Sequence, residues 1–230
     1  MTVDIDELKR LAAATAVDAV KSGMIVGLGT GSTALLMVQE LGQRLQKGRL
    51  NNIVGIPTSE QSARQAQSLG IPLTTLSEQP TLDVTIDGAD EIDPQLDLIK
   101  GLGGSLLREK IVASSSLRFI IIGDQRKLVH RLGTRAPLPV EVIPFAQRPV
   151  SDFLRALGSQ PVIRENDGET FITDEGNIIL DCHFAEIANP RQLALEVKAY
   201  PGVVEHGFFL AMATEAIVAT STGIKHFKRE

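Results

Sequence analysis

Three short stretches of the sequence carry residue types that can act on a small anionic ligand. The first is Gly27-Leu28-Gly29-Thr30-Gly31-Ser32-Thr33. Its glycines let the backbone turn tightly and bring N–H groups close to a phosphate or carboxylate, with the positive end of a following helix behind them. Ser32 and Thr33 add hydroxyl donors. A Ser/Thr-capped strand-to-helix turn has the same composition, so the loop alone leaves both readings open. A dinucleotide site fits less well: Ser32 stands where the third glycine of GxGxxG belongs, and the next strand ends in Pro57-Thr58-Ser59, where an acid for the ribose hydroxyls is expected. A nucleoside-triphosphate loop needs a lysine that is missing here.

The second stretch is Asp87-Gly88-Ala89-Asp90-Glu91, directly after an apolar strand. Ligands bind at the carboxyl ends of parallel strands, so Asp87 and Asp90 are candidates to hold sugar hydroxyls or to transfer protons. Three acids in five residues also suit a divalent cation or a plain acidic surface turn. The third stretch is Lys100-Gly101-Leu102-Gly103-Gly104-Ser105, leading into Leu106-Leu107-Arg108-Glu109-Lys110. Glycines between a lysine and a helix suit backbone approaching a ligand, with the charge of Lys100 beside it. Glu109 lies among apolar residues at a helix start, where burial would raise its proton affinity toward that of a useful base. Arg108-Glu109-Lys110 also reads as a solvated, charge-balanced face. Cys182-His183 sits in an alternating apolar strand, and His130, His206 and His226 are isolated, so none receives a role.

The elements that must position these residues follow from periodicity. Residues 5–20 have helical apolar spacing, with Asp4 as a cap, and 24–28 read as a strand. After the glycine loop a helix is predicted over 34–46. Strands are predicted at 53–56, 82–86 and 118–123, with a polar helix from 61 toward Gly70. Strands alternating with helices imply a parallel sheet covered on both faces. The Pro-punctuated stretch Ala136-Pro137-Leu138-Pro139 marks a boundary. Beyond it come a strand (140–143), a helix (150–157), strands (161–164 and 177–183), a helix (191–199) and a strand (203–208), which is the ferredoxin-like order βαββαβ. A strand at 216–220 can rejoin the first sheet. The expected fold is therefore α/β: a Rossmann-like, mostly parallel sheet with helices on both faces, formed by 1–133 and 209–230, with a smaller ferredoxin-like domain inserted at 134–208.

Composition bounds the function. At 230 residues with 43% apolar content the chain can bury a substantial core, and a net charge of -5 with no basic cluster argues against a nucleic-acid partner. A bound phosphate needs only a few local donors, so the acidic balance does not oppose one. The single cysteine permits no intrachain disulfide. The acidic N-terminus lacks a signal-peptide pattern, and no run approaches the roughly 18 apolar residues of a membrane span, so the cytoplasm is the expected compartment.

Taken together, GLGTGST, TIDGADEID, KGLGGSLLREK and the boundary stretch PLPVEVIP, in this order, resemble the A-type ribose-5-phosphate isomerases over nearly the whole chain. The resemblance implies interconversion of ribose 5-phosphate and ribulose 5-phosphate in the non-oxidative pentose phosphate pathway, with no cofactor and no metal. It puts the proton-transferring carboxylate at Glu109, assisted by Asp87, Asp90 and Lys100. Substrate contacts are implied at Thr30, Gly31, Ser32 and Thr33, at Asp87, Gly88, Ala89 and Asp90, at Lys100, Gly101, Leu102 and Gly103, at Lys127, and at Lys9 in the first helix. Leu102 departs from relatives that have glycine or a polar residue there. A homodimer or homotetramer is implied as well. The competing readings are a related sugar-phosphate isomerase or deaminase, a non-catalytic sugar-phosphate sensor, and a dehydrogenase, the last weakened by the missing ribose-binding acid.

Overall fold

A computed structural model describes residues 4–229, which pack as two compact units. The first comprises the described residues through Ala89 together with Arg108–Leu128 and those from Ala211 onward; the second comprises Asp90–Leu107 and Val129–Leu210. Residues 1–3 and 230, at the ends of the domain read from sequence, lie outside the described residues.

The first unit opens with α1 (Ile5–Val17), whose first turn is capped by the Asp4 carboxylate accepting from Asp6 N–H at 2.9 Å. It stops three residues short of the apolar period, because the backbone tightens after Val17 into turns closed by Ala19 N–H to Ala16 and Val20 N–H to Val17. There follow β1 (Ile25–Leu28), α2 (Ser32–Gln46), β2 (Val54–Pro57), α3 (Glu60–Ser68) and β3 (Val84–Gly88). Helix α2 begins two residues earlier than its apolar pattern predicts. Gly31 at φ +99° is its N-cap, a conformation open to glycine, and Ser32 and Thr33 fall in its first turn. Ser59 caps α3 in a reciprocal arrangement with Ser62.

The chain then forms β4 (Glu91–Ile92) and β5 (Leu98–Ile99), and continues through α4 (Leu106–Ser114) into β6 (Phe119–Asp124). The second unit holds β7 (Leu138–Val142), α5 (Gln147–Ala156), β8 (Ser159–Ile163), the short hairpin β9 (Glu165–Asn166) and β10 (Glu169–Thr170), β11 (Ile178–Phe184), α6 (Pro190–Ala199), β12 (Val203–His206) and β13 (Phe208–Phe209). The first unit closes with β14 (Glu215–Thr220) and β15 (Gly223–Lys228).

The first unit is the expected α/β sheet, in the order β15-β14-β6-β3-β1-β2, parallel throughout except for β15. One face buries Val26, Leu28, Val84, Ile86, Ile120 and Ile122 with α1 and α2; Val112 of α4 packs with Ile56 and Ile25, whose side chains alternate to the other face. Strand β14 rejoins this sheet beside β6 as the sequence implies. Its antiparallel partner β15 was not legible: Gly223-Ile224-Lys225-His226-Phe227-Lys228 is a half-exposed edge strand rich in charge.

The second unit contains the ferredoxin-like order, with its four-stranded antiparallel sheet arranged β12-β7-β11-β8. A separate three-stranded sheet, β13-β5-β4, groups residues 90–107 with this unit. The strand expected over 203–208 divides in two. Val203–His206 pairs with β7, and Phe208–Phe209 pairs with β5. Gly207 permits the switch: a Cβ there would lie 2.3 Å from the Lys100 carbonyl oxygen.

A buried acid in the middle of this sheet makes the second unit sensitive to pH. Glu141 on β7 is 1% exposed; its Oε1 accepts from Thr173 Oγ1 and Asn177 Nδ2, each at 2.9 Å. Burial pushes its carboxyl above the ordinary value of 4.5, the two hydrogen bonds pull it back in part, and Glu175 and Glu205 push it up again. Folding therefore favours the protonated form. That contribution is complete below about pH 4.5 and disappears as pH rises through the raised native value. Glu141→Gln should melt higher than the unmodified chain at pH 7, with the gap closing toward pH 4.5, as followed by circular dichroism.

Candidate active site

The carboxyl ends of four neighbouring strands, β6, β3, β1 and β2, form a row at one edge of the first unit's sheet. Asp87, fully buried at the end of β3, is the hub of that row. Its Oδ1 accepts from Thr30 N–H at 3.0 Å and from Gly88 N–H at 2.7 Å. Gly29 makes this approach possible, since a Cβ there would stand 2.3 Å from Asp87 Oδ1 and 2.6 Å from its Cα. The glycine loop is thus held by a carboxylate rather than by its own turn chemistry. From the end of β2, Thr58 and Ser59 bring buried hydroxyls to Thr30 Oγ1, at 2.8 Å and 2.7 Å.

Helix α4 presents Glu109 in its first turn, 3% exposed. Glu109 and Val112 share a helix face, and Val112 packs where β1 has no side chain: a Cβ on Gly27 would lie 2.9 Å from Val112 Cγ1. Close packing of α4 on β1 buries the face that carries Glu109. Of the three charges read as a solvated face, Arg108 reaches out to Glu60 at 2.8 Å, while Glu109 is buried. Beyond β6, Lys127 lies in a short 3₁₀ turn capped by Asp124. Burial pushes the Asp124 carboxyl up, but its side-chain and backbone hydrogen bonds from Arg126, with the charges of Arg126 and Lys127, bring it below the ordinary value. Lys9 pairs with Asp6 of its own helix at 3.5 Å, and Asp6 is within electrostatic reach of Arg126.

In the second unit the residues of the acidic turn part company. Asp90 Oδ2 accepts from Leu102 N–H at 2.9 Å and so braces the Lys100–Gly103 loop. Glu91 is consumed structurally: its carboxylate accepts from the N–H groups of Gly133, Arg135 and Ala136 at 2.5, 2.5 and 2.8 Å. Lys100 is 2% exposed, its Nζ 5.3 Å from the centroid of the Phe209 ring. Leu102 engages the unit through its backbone, and its side chain is half-exposed. Among the described residues no three His, Cys, Asp or Glu side chains cluster in a way that could hold a metal ion. Cys182 is buried, and burial, with Asp181 adding to it, pushes its thiol up to about 12 against a weaker pull from Ser159, which makes it a poor nucleophile.

A family model for ribose 5-phosphate isomerase A (phosphoriboisomerase A) matches residues 54–223. The chain belongs to this family. It is 57% identical to a ribose-5-phosphate isomerase A of Roseiflexus castenholzii over 94% of this chain and 93% of that one, and 54% identical to one of a Synechococcus strain over 97% and 98%. Among solved structures, a D-ribose-5-phosphate isomerase in complex with phospho-erythronic acid superposes with a TM-score of 0.96 at 38% identity, covering 99% of this chain and all of that one. The ribose 5-phosphate isomerase of Plasmodium falciparum gives 0.96 at 41% identity, covering 98% and 100%.

Reading the sequence missed Thr58 and Ser59, which entered only as the absence of a ribose-binding acid. Hydroxyl residues after a strand carry no periodic signal, and nothing local marks their contact with a threonine 28 and 29 residues earlier. The tightest test of this edge is Gly29. Gly29→Ala forces Asp87 away from the loop, and overpacking of this kind costs about 1–3 kcal/mol, read as a lower urea midpoint at unchanged slope.

Proposed function

We propose that the chain interconverts ribose 5-phosphate and ribulose 5-phosphate through an enediolate, with Glu109 as the group that takes and returns the proton. The observation that carries this reading is a buried carboxylic acid in the first turn of α4, in a chain related over 94% of its length to proteins named for that reaction. An aldose and its ketose differ by one hydrogen moved from C2 to C1 and one moved from the C2 oxygen to the C1 oxygen. A single carboxylate carries the carbon-bound proton: it removes that proton from C2, the C1 carbonyl becomes part of the enediolate and its oxygen gains a proton as the C2 oxygen gives one up, and the carboxyl returns its proton to C1. Electrons only rearrange within the substrate, so no redox cofactor takes part.

The enediolate carries negative charge on oxygen. Lys100, an ammonium with 2% exposure, and the backbone N–H groups of Gly101 and Gly103 are the donors assigned to it, because a preorganised cation in a dry surrounding stabilises developing charge without reorganising. Thr30, Gly31, Ser32 and Thr33 form the anion loop at the start of α2 and are assigned to the substrate, with Lys127 and Lys9 supplying positive charge for the phosphate. Asp87, Gly88, Ala89 and Asp90 complete the substrate contacts, and the two aspartates serve ring opening and proton exchange between the oxygens. Related isomerase or deaminase chemistry on other sugar phosphates, and ligand sensing without turnover, are the alternatives that assays on this chain separate. The compartment is the cytoplasm; among the described residues no helix is long and apolar enough to cross a membrane. The assembly is a homodimer or homotetramer, a reading supported by large apolar side chains left exposed on the second unit, Phe145 above all at 96%.

The purified chain should convert ribose 5-phosphate to ribulose 5-phosphate and leave hexosamine phosphates untouched. Glu109→Gln should lower kcat by about 10²–10⁴, the usual worth of a positioned acid-base group, while calorimetry finds ribose 5-phosphate bound at comparable strength. Turnover retained in this variant rules Glu109 out as the proton carrier. Exhaustive chelation should leave the rate unchanged; activity lost on chelation and restored by Mg²⁺ or Mn²⁺ would assign the acids to a metal instead.

A further inference from the structure

The Lys100–Gly104 loop is positioned by an ion pair that belongs to the ferredoxin-like sheet of the second unit. Arg164 follows β8 directly, and Asp181 lies in the middle of β11, the neighbouring strand. Both are largely shielded, with side chains 11% and 17% exposed. The Arg164 guanidinium presents one edge to the Asp181 carboxylate, Nε to Oδ2 at 2.9 Å and Nη2 to Oδ1. Its remaining nitrogen, Nη1, donates to two carbonyl oxygens of the loop, that of Gly101 at 2.7 Å and that of Leu102 at 3.2 Å. A planar fork with five donors can hold a carboxylate on one side and two carbonyls on another; a lysine ammonium cannot span the same set.

The consequence lies in the peptide planes. Among the described residues no peptide bond is cis, and in a trans peptide the C=O of one residue and the N–H of the next point to opposite sides. Drawing the Gly101 and Leu102 carbonyls toward Arg164 therefore turns the N–H groups of Leu102 and Gly103 away from it. The Leu102 N–H meets Asp90 Oδ2 on that opposite side, as this geometry requires. The loop needs such a clamp. Gly101 at φ +110° and Gly104 at φ +87° are in the region that glycine enters freely and leaves as freely, so the sequence of the loop does not itself fix one conformation.

We infer that Arg164 and Asp181 are positioning residues for catalysis: the pair orients the peptide planes at Gly101 and Leu102 so that the Leu102 N–H reaches Asp90 and the Gly103 N–H faces the sugar phosphate. This rests on the assignment of Lys100–Gly103 to the substrate under the proposed function. Neither residue touches the substrate, and their effect passes through the loop.

The test is steady-state kinetics with ribose 5-phosphate on Arg164→Met, Arg164→Lys and Asp181→Asn. KM is the deciding quantity, because a smaller folded fraction lowers the apparent kcat and leaves KM unmoved. Misplacement of about 1 Å from a remote change can cost up to about 10²-fold, so the expected rise in KM for Arg164→Met is about tenfold. Arg164→Lys should restore part of it by reaching one carbonyl, and Asp181→Asn, which leaves the guanidinium in place with a weaker partner, should raise KM by about threefold. If Arg164→Met does not fold, Asp181→Asn decides alone. A KM within about twofold of the unmodified chain in the folded variants overturns the positioning role. Absence of turnover in the unmodified chain would instead overturn the isomerase reading and this inference with it.

Discussion

One buried carboxylate oxygen, Asp87 Oδ1, sets the conformation of the glycine loop at the carboxyl edge of the first unit's sheet. It accepts two backbone N–H groups, one from its own successor and one from the glycine loop 57 residues earlier in sequence. Each would cost about 1–3 kcal/mol if buried without a partner, and both are taken by a single atom. The arrangement requires that nothing stand between the strand ends, and Gly29 meets that requirement by having no side chain. The loop's shape is thus a property of two strands, β1 and β3, and of the parallel register that sets Leu28 beside Ile86. The hydroxyls of Thr58 and Ser59 carry the constraint across to the next strand, β2, by fixing the Thr30 side chain as Asp87 fixes its backbone.

Much of this architecture was legible in the sequence because it is periodic. Apolar strands alternating with amphipathic helices give a parallel sheet, and the order of elements after the proline stretch gives the ferredoxin-like unit. The pieces that escaped have no period to read. Strands β4, β5 and β13 are two residues each, too short for alternation to register, and β13 joins the other two by pairing with a segment more than a hundred residues away, Phe208 with Ile99 and Phe209 with Leu98. β15 alternates weakly and exposes lysines and a histidine, as an edge strand does.

The candidate site divides along the same line. Glycine-rich and acidic motifs announce themselves because their composition is unusual. The groups that hold them do not. Arg164 lies at the end of an ordinary strand and Thr58 follows another, and only the fold brings either to its loop. A resemblance transfers the residues that touch a ligand far more readily than those that aim them, because the aiming residues act at a distance in sequence and carry no local pattern.

The pentapeptide Asp87-Gly88-Ala89-Asp90-Glu91 shows why acid clustering by itself says little about a site. Three carboxylates in five residues would repel one another at close range, and a cation between them is the obvious remedy. Backbone N–H groups are another. Asp87 takes the N–H of Thr30 from the first unit's loop and that of its successor Gly88, Asp90 takes that of Leu102, and Glu91 takes three from the 133–136 segment, so each carboxylate accepts from a different set of backbone donors. Backbone dipoles, fixed in place by the fold, do for these acids what a metal does elsewhere, and they do so without gathering the oxygens around one point. Residues adjacent in sequence are thereby directed to three separate tasks, and it is the placement of N–H donors, many tens of residues away in two of the three cases, that decides which acid braces which loop.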